Sequence, residues 1–235
     1  GSSGAPWATI QKAIDYLVEY VDTGVYNVTI QLADGTYSDS GTTLKRVNGA
    51  GEVTIQGNTS NEESVIINSN GTNFVIDNCS TKYNIKYIKT RQAGTSKHCV
   101  QATSGSNVLV SNVYVDDTNS SGTYTYIFLS QSNSLISLST IEFSGSCGAF
   151  LRTQGGNINY YNDSLVLTGT CSWSTAFYLA GEFGGLLGIN WSFSGSATGK
   201  RYSITINSFA RIGSSSTTYF PGDSNGTTDA TSYYG

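Results

Sequence analysis

Cutting a glycosidic bond by acid–base chemistry takes two carboxylates flanking it. The 235-residue chain has sixteen acids, and its one attractive doublet is Asp116-Asp117, directly after the strand-like stretch Val113-Tyr-Val115. Glu142 lies in the matching stretch of the next repeat, two positions earlier, and comes within reach of the doublet if it faces outward. Glu182 sits in the Gly-rich turn Gly181-Glu-Phe-Gly-Gly185. Asp116, Asp117, Glu142 and Glu182 are therefore the candidate catalytic residues of a hydrolase or lyase. Acids in turns are equally what a solvated surface displays, so both readings stand.

Holding a sugar needs different residues. Tyr and Trp stack on sugar faces, and Asn, Ser and Thr bond hydroxyls without the desolvation cost of a full charge. Tyr124 and Tyr126 lie in the longest stretch between repeats, Asp117 to Tyr126. Tyr160 and Tyr161 sit near another turn, and Trp173 lies in Cys171-Ser-Trp-Ser-Thr175. These five are the candidate glycan-binding residues, and the competing reading packs each against the body of the fold. No metal site is expected: His98 is the single His, and none of Cys79, Cys99, Cys147 or Cys171 pairs with it at ligand spacing. No cofactor motif appears. Cys147 and Cys171 fall at similar places in consecutive repeats, so they read as two stacked free thiols or as a disulfide.

The elements that must position these residues repeat. Blocks open at Phe74, Cys99, Ile127, Ala149, Ala176 and Ser203, and subtracting the positions gives spacings of 25, 28, 22, 27 and 27. Second strands follow at Val113-Tyr-Val, Ile141-Glu-Phe, Leu165-Val-Leu and Trp191-Ser-Phe. A unit of this size built from strands of three to five residues and Gly/Asn/Ser turns fits one rung of a parallel β-helix. Leucine-rich repeats lack a match here, and a propeller blade is longer. The expected fold is all-β, a right-handed parallel β-helix. An amphipathic helix precedes it, with Ile10, Ala13, Ile14, Leu17, Val18 and Val21 on one stripe. Its expected use is to cap the first coil, whose edges and apolar residues would otherwise meet water. The expected divisions are a capping helix over 1–23, the β-helix over 24–212 and a turn-rich closing segment over 213–235. Stretches such as Ala149-Phe-Leu and Ala176-Phe-Tyr are apolar on both faces. That pattern suggests an outer wall covered by a loop or by a neighbouring subunit, and for the latter side-by-side packing in a homotrimer is the expected arrangement.

Composition excludes other classes. Charged residues are 12% of the chain and the net charge is −4, so no basic surface for nucleic acid is expected. No apolar run reaches membrane-spanning length. The chain has no Met, even at position 1, which fits a processed or excised piece.

The opening Thr9-Ile-Gln-Lys-Ala-Ile-Asp15, with Val28-Thr-Ile-Gln-Leu-Ala-Asp-Gly-Thr-Tyr37 and Val53-Thr-Ile-Gln-Gly-Asn58, resembles the start of pectate-lyase-like right-handed β-helix proteins. Phage tailspikes and fibre tips belong to that group. The ending Tyr219-Phe-Pro-Gly-Asp-Ser-Asn-Gly-Thr-Thr228 is similar to the closing segment of phage spike receptor-binding domains. The resemblance implies a trimer on a virion surface, joined to the remainder of a tail or spike, that contacts a bacterial surface polysaccharide. The group's hydrolase signature, Gly-His-Gly with Arg-x-Lys, is missing, and His98 stands between Lys97 and Cys99. The expected function is therefore receptor binding. A depolymerase with a carboxylate site at a subunit interface and a purely structural spike segment are the alternatives.

Overall fold

The computed structural model describes residues 4–118, 123–160 and 163–235. The chain is a parallel β-solenoid of about 8 turns. Its strands stack in three columns, or walls. The first runs from Val28–Gln31 through Val53–Gln56 to Phe209–Arg211 and Tyr233–Tyr234. A second stacks Gly35–Asp39, Val65–Ser69 and, further on, Ser164–Leu167 and Ser192–Ser194. The third begins at Thr42–Leu44 on Phe74–Asp77 and reaches Tyr202–Ile204 and Thr227–Thr228.

One strand shows how a coil turns. Leu135–Gln154 is continuous over 20 residues, yet it pairs in succession with all three walls. Its first corner is Thr140, in the left-handed region at φ 49, beneath Asn112 at φ 52 and Tyr87 at φ 58 on the preceding coils. Its second corner is Gly145, at φ 109, where a Cβ would meet the carbonyl oxygen of Asp117 at 2.3 Å. Only glycine allows that approach without a backbone shift.

Register corrects the repeat as read from sequence. Phe74, Val100, Phe128, Leu151, Tyr178 and Tyr202 form one column. Subtracting their positions gives 26, 28, 23, 27 and 24. The second-strand matches Val113, Ile141 and Leu165 hold, but the next member is Phe193, not Trp191. Adjacent apolar residues had blurred which of two neighbours faces inward.

The interior changes character along the axis. Val53, Ile55, Val65, Ile67, Val108 and Val110 fill the early coils, all at 0% exposure. Aromatic rings fill the later ones. Phe150 lies 5.2 Å from Phe177, 5.6 Å from Phe143 and 5.9 Å from Trp173. Phe220, in the closing segment, packs with its ring tilted 5.2 Å from Phe177 and is 1% exposed. The segment after Ile212 thus inserts an anchor and adds strands to two walls. Phe150 and Leu151 are neighbours in sequence and both 0% exposed within one chain. Two-sided apolar strands therefore need no neighbouring subunit to cover them, and they lend no weight to a trimer.

The helix spans Ile10–Tyr20 and starts where the Thr9 side chain accepts the Lys12 amide at 3.2 Å. Ile10, Ala13, Ile14 and Leu17 are buried, as the stripe demands. It is too short to cross a membrane, as no helix among the described residues is long and apolar enough to do so.

Replacing Phe150 by Ala removes a ring touching four other aromatics. The expected loss is about 3–5 kcal/mol of stability in urea unfolding. A loss under about 1 kcal/mol would show that the aromatic interior is not the anchor of the later coils.

Candidate functional site

The strand Asn107–Asp117 carries the acid doublet, and strand pleating sends consecutive side chains to opposite faces. Asp116 and Asp117 are accordingly divided by the wall. Asp116 sits across from Arg91 on one coil and Ser144 on the next. Its Oδ2 accepts from Arg91 Nε at 3.0 Å and Lys89 Nζ at 3.2 Å. Its Oδ1 accepts from the Thr118 hydroxyl at 2.5 Å and the Thr118 amide at 3.2 Å. Burial works against the charge, but the Thr118, Arg91 and Lys89 contacts outweigh it and hold this carboxyl at about 2. Lys89 also pairs with Glu63 at 2.8 Å and lies 4.3 Å from the centre of the Tyr114 ring. Burial opposes the Lys89 charge too, and the Glu63 and Asp116 bonds reverse the effect and raise its pKa. Glu63, Lys89, Arg91, Asp116, Tyr114 and Ser144 form a closed polar network, with the Tyr114 and Ser144 hydroxyls 2.8 Å apart. A carboxylate so clamped is poorly suited to shuttling a proton at neutral pH.

Asp117 points inward, among Cys99, Cys147 and Tyr124. It is 6% exposed. Its Oδ2 accepts the Tyr124 amide at 3.1 Å, and its Oδ1 has no hydrogen-bond partner among the described residues. Burial is the main cause that raises its carboxyl to about 7, with the Asp116 charge adding and the Tyr124 amide opposing. The expectation of one acid group built on both carboxylates is corrected on this point, because they occupy opposite sides of one strand.

The other candidate acids are placed apart. Glu142 is half-buried in register with Tyr114 and accepts the Thr168 hydroxyl at 2.7 Å. Glu182 is exposed at a left-handed turn, φ 56. It ends an amide ladder in which Gln101 donates to Gln131, Gln131 to Gln154 at 2.9 Å, and Gln154 to Glu182 at 2.9 Å.

The aromatic candidates divide as well. Tyr124 is 1% exposed, and its hydroxyl donates to Asn73 Oδ1 at 2.8 Å. Tyr160 is 0% exposed, stacked 4.0 Å from Trp191. Trp173 is 3% exposed, and its indole N–H donates to the Pro221 carbonyl at 3.2 Å. These three rings belong to the interior, so none offers a free face to a sugar. Where the sequence leads one to expect a long loop after Asp117, the chain is strand again from Thr123, which draws Tyr124 inside. Tyr161 lies outside the described residues. Tyr126 alone of the four described is half-exposed, one face stacked on His98 with centroids 5.3 Å apart and planes within 3°. Burial lowers the pKa of that His98 ring.

Tyr126 stands in a groove of about 450 Å³ at the entry to the third wall. Three successive coils supply it. Thr125 and Tyr126 come from the first, Ser146 and Gly148 from the second, and Ser172, Ser174 and Thr175 from the third. The groove exists because the ladder is interrupted here. Register slips between Tyr124 and Tyr126, and Ser174 and Thr175 stand opposite Gly148 alone. Such a bulge leaves an extra residue unpaired and bends the strand. Gly148 is its floor, where a Cβ would lie 2.3 Å from the Thr125 carbonyl. Tyr124, Cys147 and Trp173 also reach this lining, as its mostly buried base.

The sequence reading missed Gly148, Thr125, Ser146 and Ser172 as a set, and also the partners of Asp116. One signal was available for each. A lone Gly inside an apolar strand pattern, Cys147-Gly-Ala149, marks a bulge or close approach. Lys89 and Arg91 stand two apart on one coil, as do Tyr114 and Asp116 on the next, which is how a cross-strand charge pair looks in sequence.

All four cysteines are free and buried. Cys147 is in register with Trp173 and Cys171 with Ala197, so the two thiols are not stacked partners. Among the described residues no group of three or more His, Cys, Asp or Glu is placed to hold a metal ion. Comparison of the chain with family models, curated proteins and solved structures finds no match.

Asp117 makes stability depend on pH with a defined sign. Its folded carboxyl stays protonated up to about 7, while its ordinary value is 3.8. The stabilising contribution is full below about pH 4, falls as pH rises, and is gone above about 7. Asp117→Asn is expected to gain on the order of 3 kcal/mol over the parent at pH 8 and nothing at pH 4. Equal stability gains at both pH values in chemical unfolding would show that Asp117 ionises normally in the fold.

Proposed function

We propose that this chain is the receptor-binding part of a tailspike- or fibre-like protein of a phage or phage-like particle, and that it holds a bacterial surface polysaccharide without cutting it. The groove floored by Gly148 carries this reading. Sugar recognition combines an aromatic face with several convergent hydrogen-bonding groups on a rigid frame. Tyr126 supplies the ring, backed by His98 so that it loses little freedom on binding. Thr125, Ser146, Ser172, Ser174 and Thr175 supply hydroxyls from three coils. Those coils follow one another along the solenoid axis at about 4.8 Å, close to the rise of an extended sugar chain per residue. A polysaccharide laid along the axis would meet the same kind of donor and acceptor at each step.

The carboxylates support holding over cutting. Asp116 is neutralised by Arg91 and Lys89, Asp117 faces the interior, and Glu182 ends a Gln ladder. Display on the virion surface as a homotrimer, attached to the rest of a tail or spike, is part of the same proposal. It rests on the resemblance of the opening to pectate-lyase-like β-helix proteins, a group that includes phage tailspikes, and of the closing segment to phage spike receptor-binding domains.

The test is a glycan array or calorimetry with polysaccharide from candidate hosts. Tyr126→Ala is expected to weaken binding about tenfold, on the order of 1.4 kcal/mol. Its melting temperature should stay close to the parent's, since the ring is half-exposed. New reducing ends or unsaturated products after incubation with the bound glycan, or unchanged affinity in Tyr126→Ala, would overturn the reading.

A further inference from the structure

Along the third wall, Leu151 and Thr153 are 0% exposed and face the core, so their neighbours Arg152 and Gln154 face outward. Arg152 is half-buried, and its guanidinium makes no hydrogen bond or ion pair among the described residues. Lys82, Lys89 and Arg91 on earlier coils each meet a carboxylate. The outward column that holds Gln131 and Gln154 continues to Gly181. A Cβ on Gly181 would lie 3.6 and 3.7 Å from the Nη atoms of Arg152 and 3.6 Å from Thr205 Oγ1. Those are its nearest neighbours outside its own stretch of chain, and all three belong to side chains.

Nothing in the fold calls for glycine at this position. Its φ is outside the left-handed region, and no neighbouring backbone crowds it. Gly145 and Gly148 differ, since a Cβ on either would lie 2.3 Å from a carbonyl oxygen of the preceding coil. A strand glycine without those reasons is the kind that marks close approach of a ligand. The notch it leaves has a donor side and an acceptor side. Arg152 only donates. The Thr205 amide and hydroxyl both donate to the Ala180 carbonyl, at 3.1 and 3.2 Å, so the hydroxyl offers its lone pairs. A ligand in the notch therefore presents an anionic acceptor to Arg152 and a hydroxyl to Thr205. The acids nearby are engaged elsewhere. Glu182 accepts from Gln154 at 2.9 Å, and Asp229 accepts the Ile206 amide at 2.7 Å and the Thr231 hydroxyl at 3.0 Å.

We propose that Arg152, Gly181 and Thr205 form a subsite for a sugar acid, so that the polysaccharide held by this chain is an acidic one. The inference rests on the glycan reading above and names the substrate class of that surface. A sugar acid carries a carboxylate and a hydroxyl on adjacent ring carbons, which is the pair the notch asks for. The Arg152 fork bonds the carboxylate, Gly181 leaves the space, and Thr205 accepts from the neighbouring hydroxyl. Tyr126 is in register with Ala149, three residues before Arg152. The subsite is therefore about 10 Å across the wall from the aromatic face, within reach of the same glycan.

The experiment titrates the full chain by calorimetry with acidic and neutral bacterial surface polysaccharides, each acidic one also after chemical reduction of its carboxyls to alcohols. Polymers containing sugar acids are expected to bind, and reduction should weaken them at least about tenfold. Arg152→Gln should lower affinity for the acidic polymer at least about tenfold and leave that for its reduced form unchanged. Gly181→Ala sets a methyl group in the notch at ordinary contact distance. It should match the parent in circular dichroism and melting temperature and bind the acidic polymer more weakly. Equal affinity for a polymer and its reduced form, preference for neutral polymers, or undiminished binding of the acidic polymer by both variants would overturn the subsite. Binding that Tyr126→Ala still weakens would then leave the glycan reading standing. Binding of no polymer would overturn both.

Discussion

Everything in this molecule depends on the parallel backbone ladder. The strands of each coil find partners for their peptide groups on the coils before and after it, so the stack is held in register at every step. Register then dictates which side chains meet. It sets Arg91 beside Asp116 and Asp116 beside Ser144, and it sends Asp117 to the other face of the same strand. No side chain can be moved along the axis without moving a coil. Chemistry in such a fold is a matter of columns and parity, and two neighbours in sequence are the pair least able to act together.

The ladder also explains how polar groups are tolerated along a mostly uncharged chain. A charge repeated in one column would repel itself every ~4.8 Å. The walls instead stack groups that both donate and accept. The Gln101, Gln131 and Gln154 amides pass hydrogen bonds in one direction and end on the Glu182 carboxylate, which only accepts. The buried charge at Asp116 is offset by Lys89 and Arg91, with Glu63 closing the balance on Lys89. Asp117 has no ion-pair partner among the described residues, and burial keeps its carboxyl protonated up to about 7 instead.

The sequence made the architecture legible because its signal is redundant: a strand pattern repeated every two dozen residues leaves few alternatives. The amphipathic stripe of Ile10, Ile14 and Leu17 was as clear, since the helical period has no rival there. Parity was harder. In Ile127-Phe-Leu129 all three residues are 0–4% exposed, so alternation gave no sign of which faced in. The columns were therefore misaligned by one or two residues, and side-chain neighbours drawn from them shifted likewise. Trp173 and Tyr124 look like loop aromatics because small polar residues surround them, but Thr123, Thr125, Ser172, Ser174 and Thr175 belong to bulged strands rather than loops. The site was legible only in its residue types, since the groove arises from a register slip that spans three coils.

That slip is the reason the wall has its groove at this corner. A regular wall is flat, and its backbone groups are all committed to the ladder. Where Ser174 and Thr175 oppose Gly148 alone, the ladder loses a pairing and the wall gains a concavity. The cost falls locally, because Trp173, Phe150 and Phe177 pack directly behind the bulge and keep the coils in place. The aromatic filling of the later coils therefore has a second consequence beyond stability. It lets the outer wall give up regular pairing without loosening, so Tyr126 and the hydroxyls around it stand in a fixed frame while the rings beneath them stay dry.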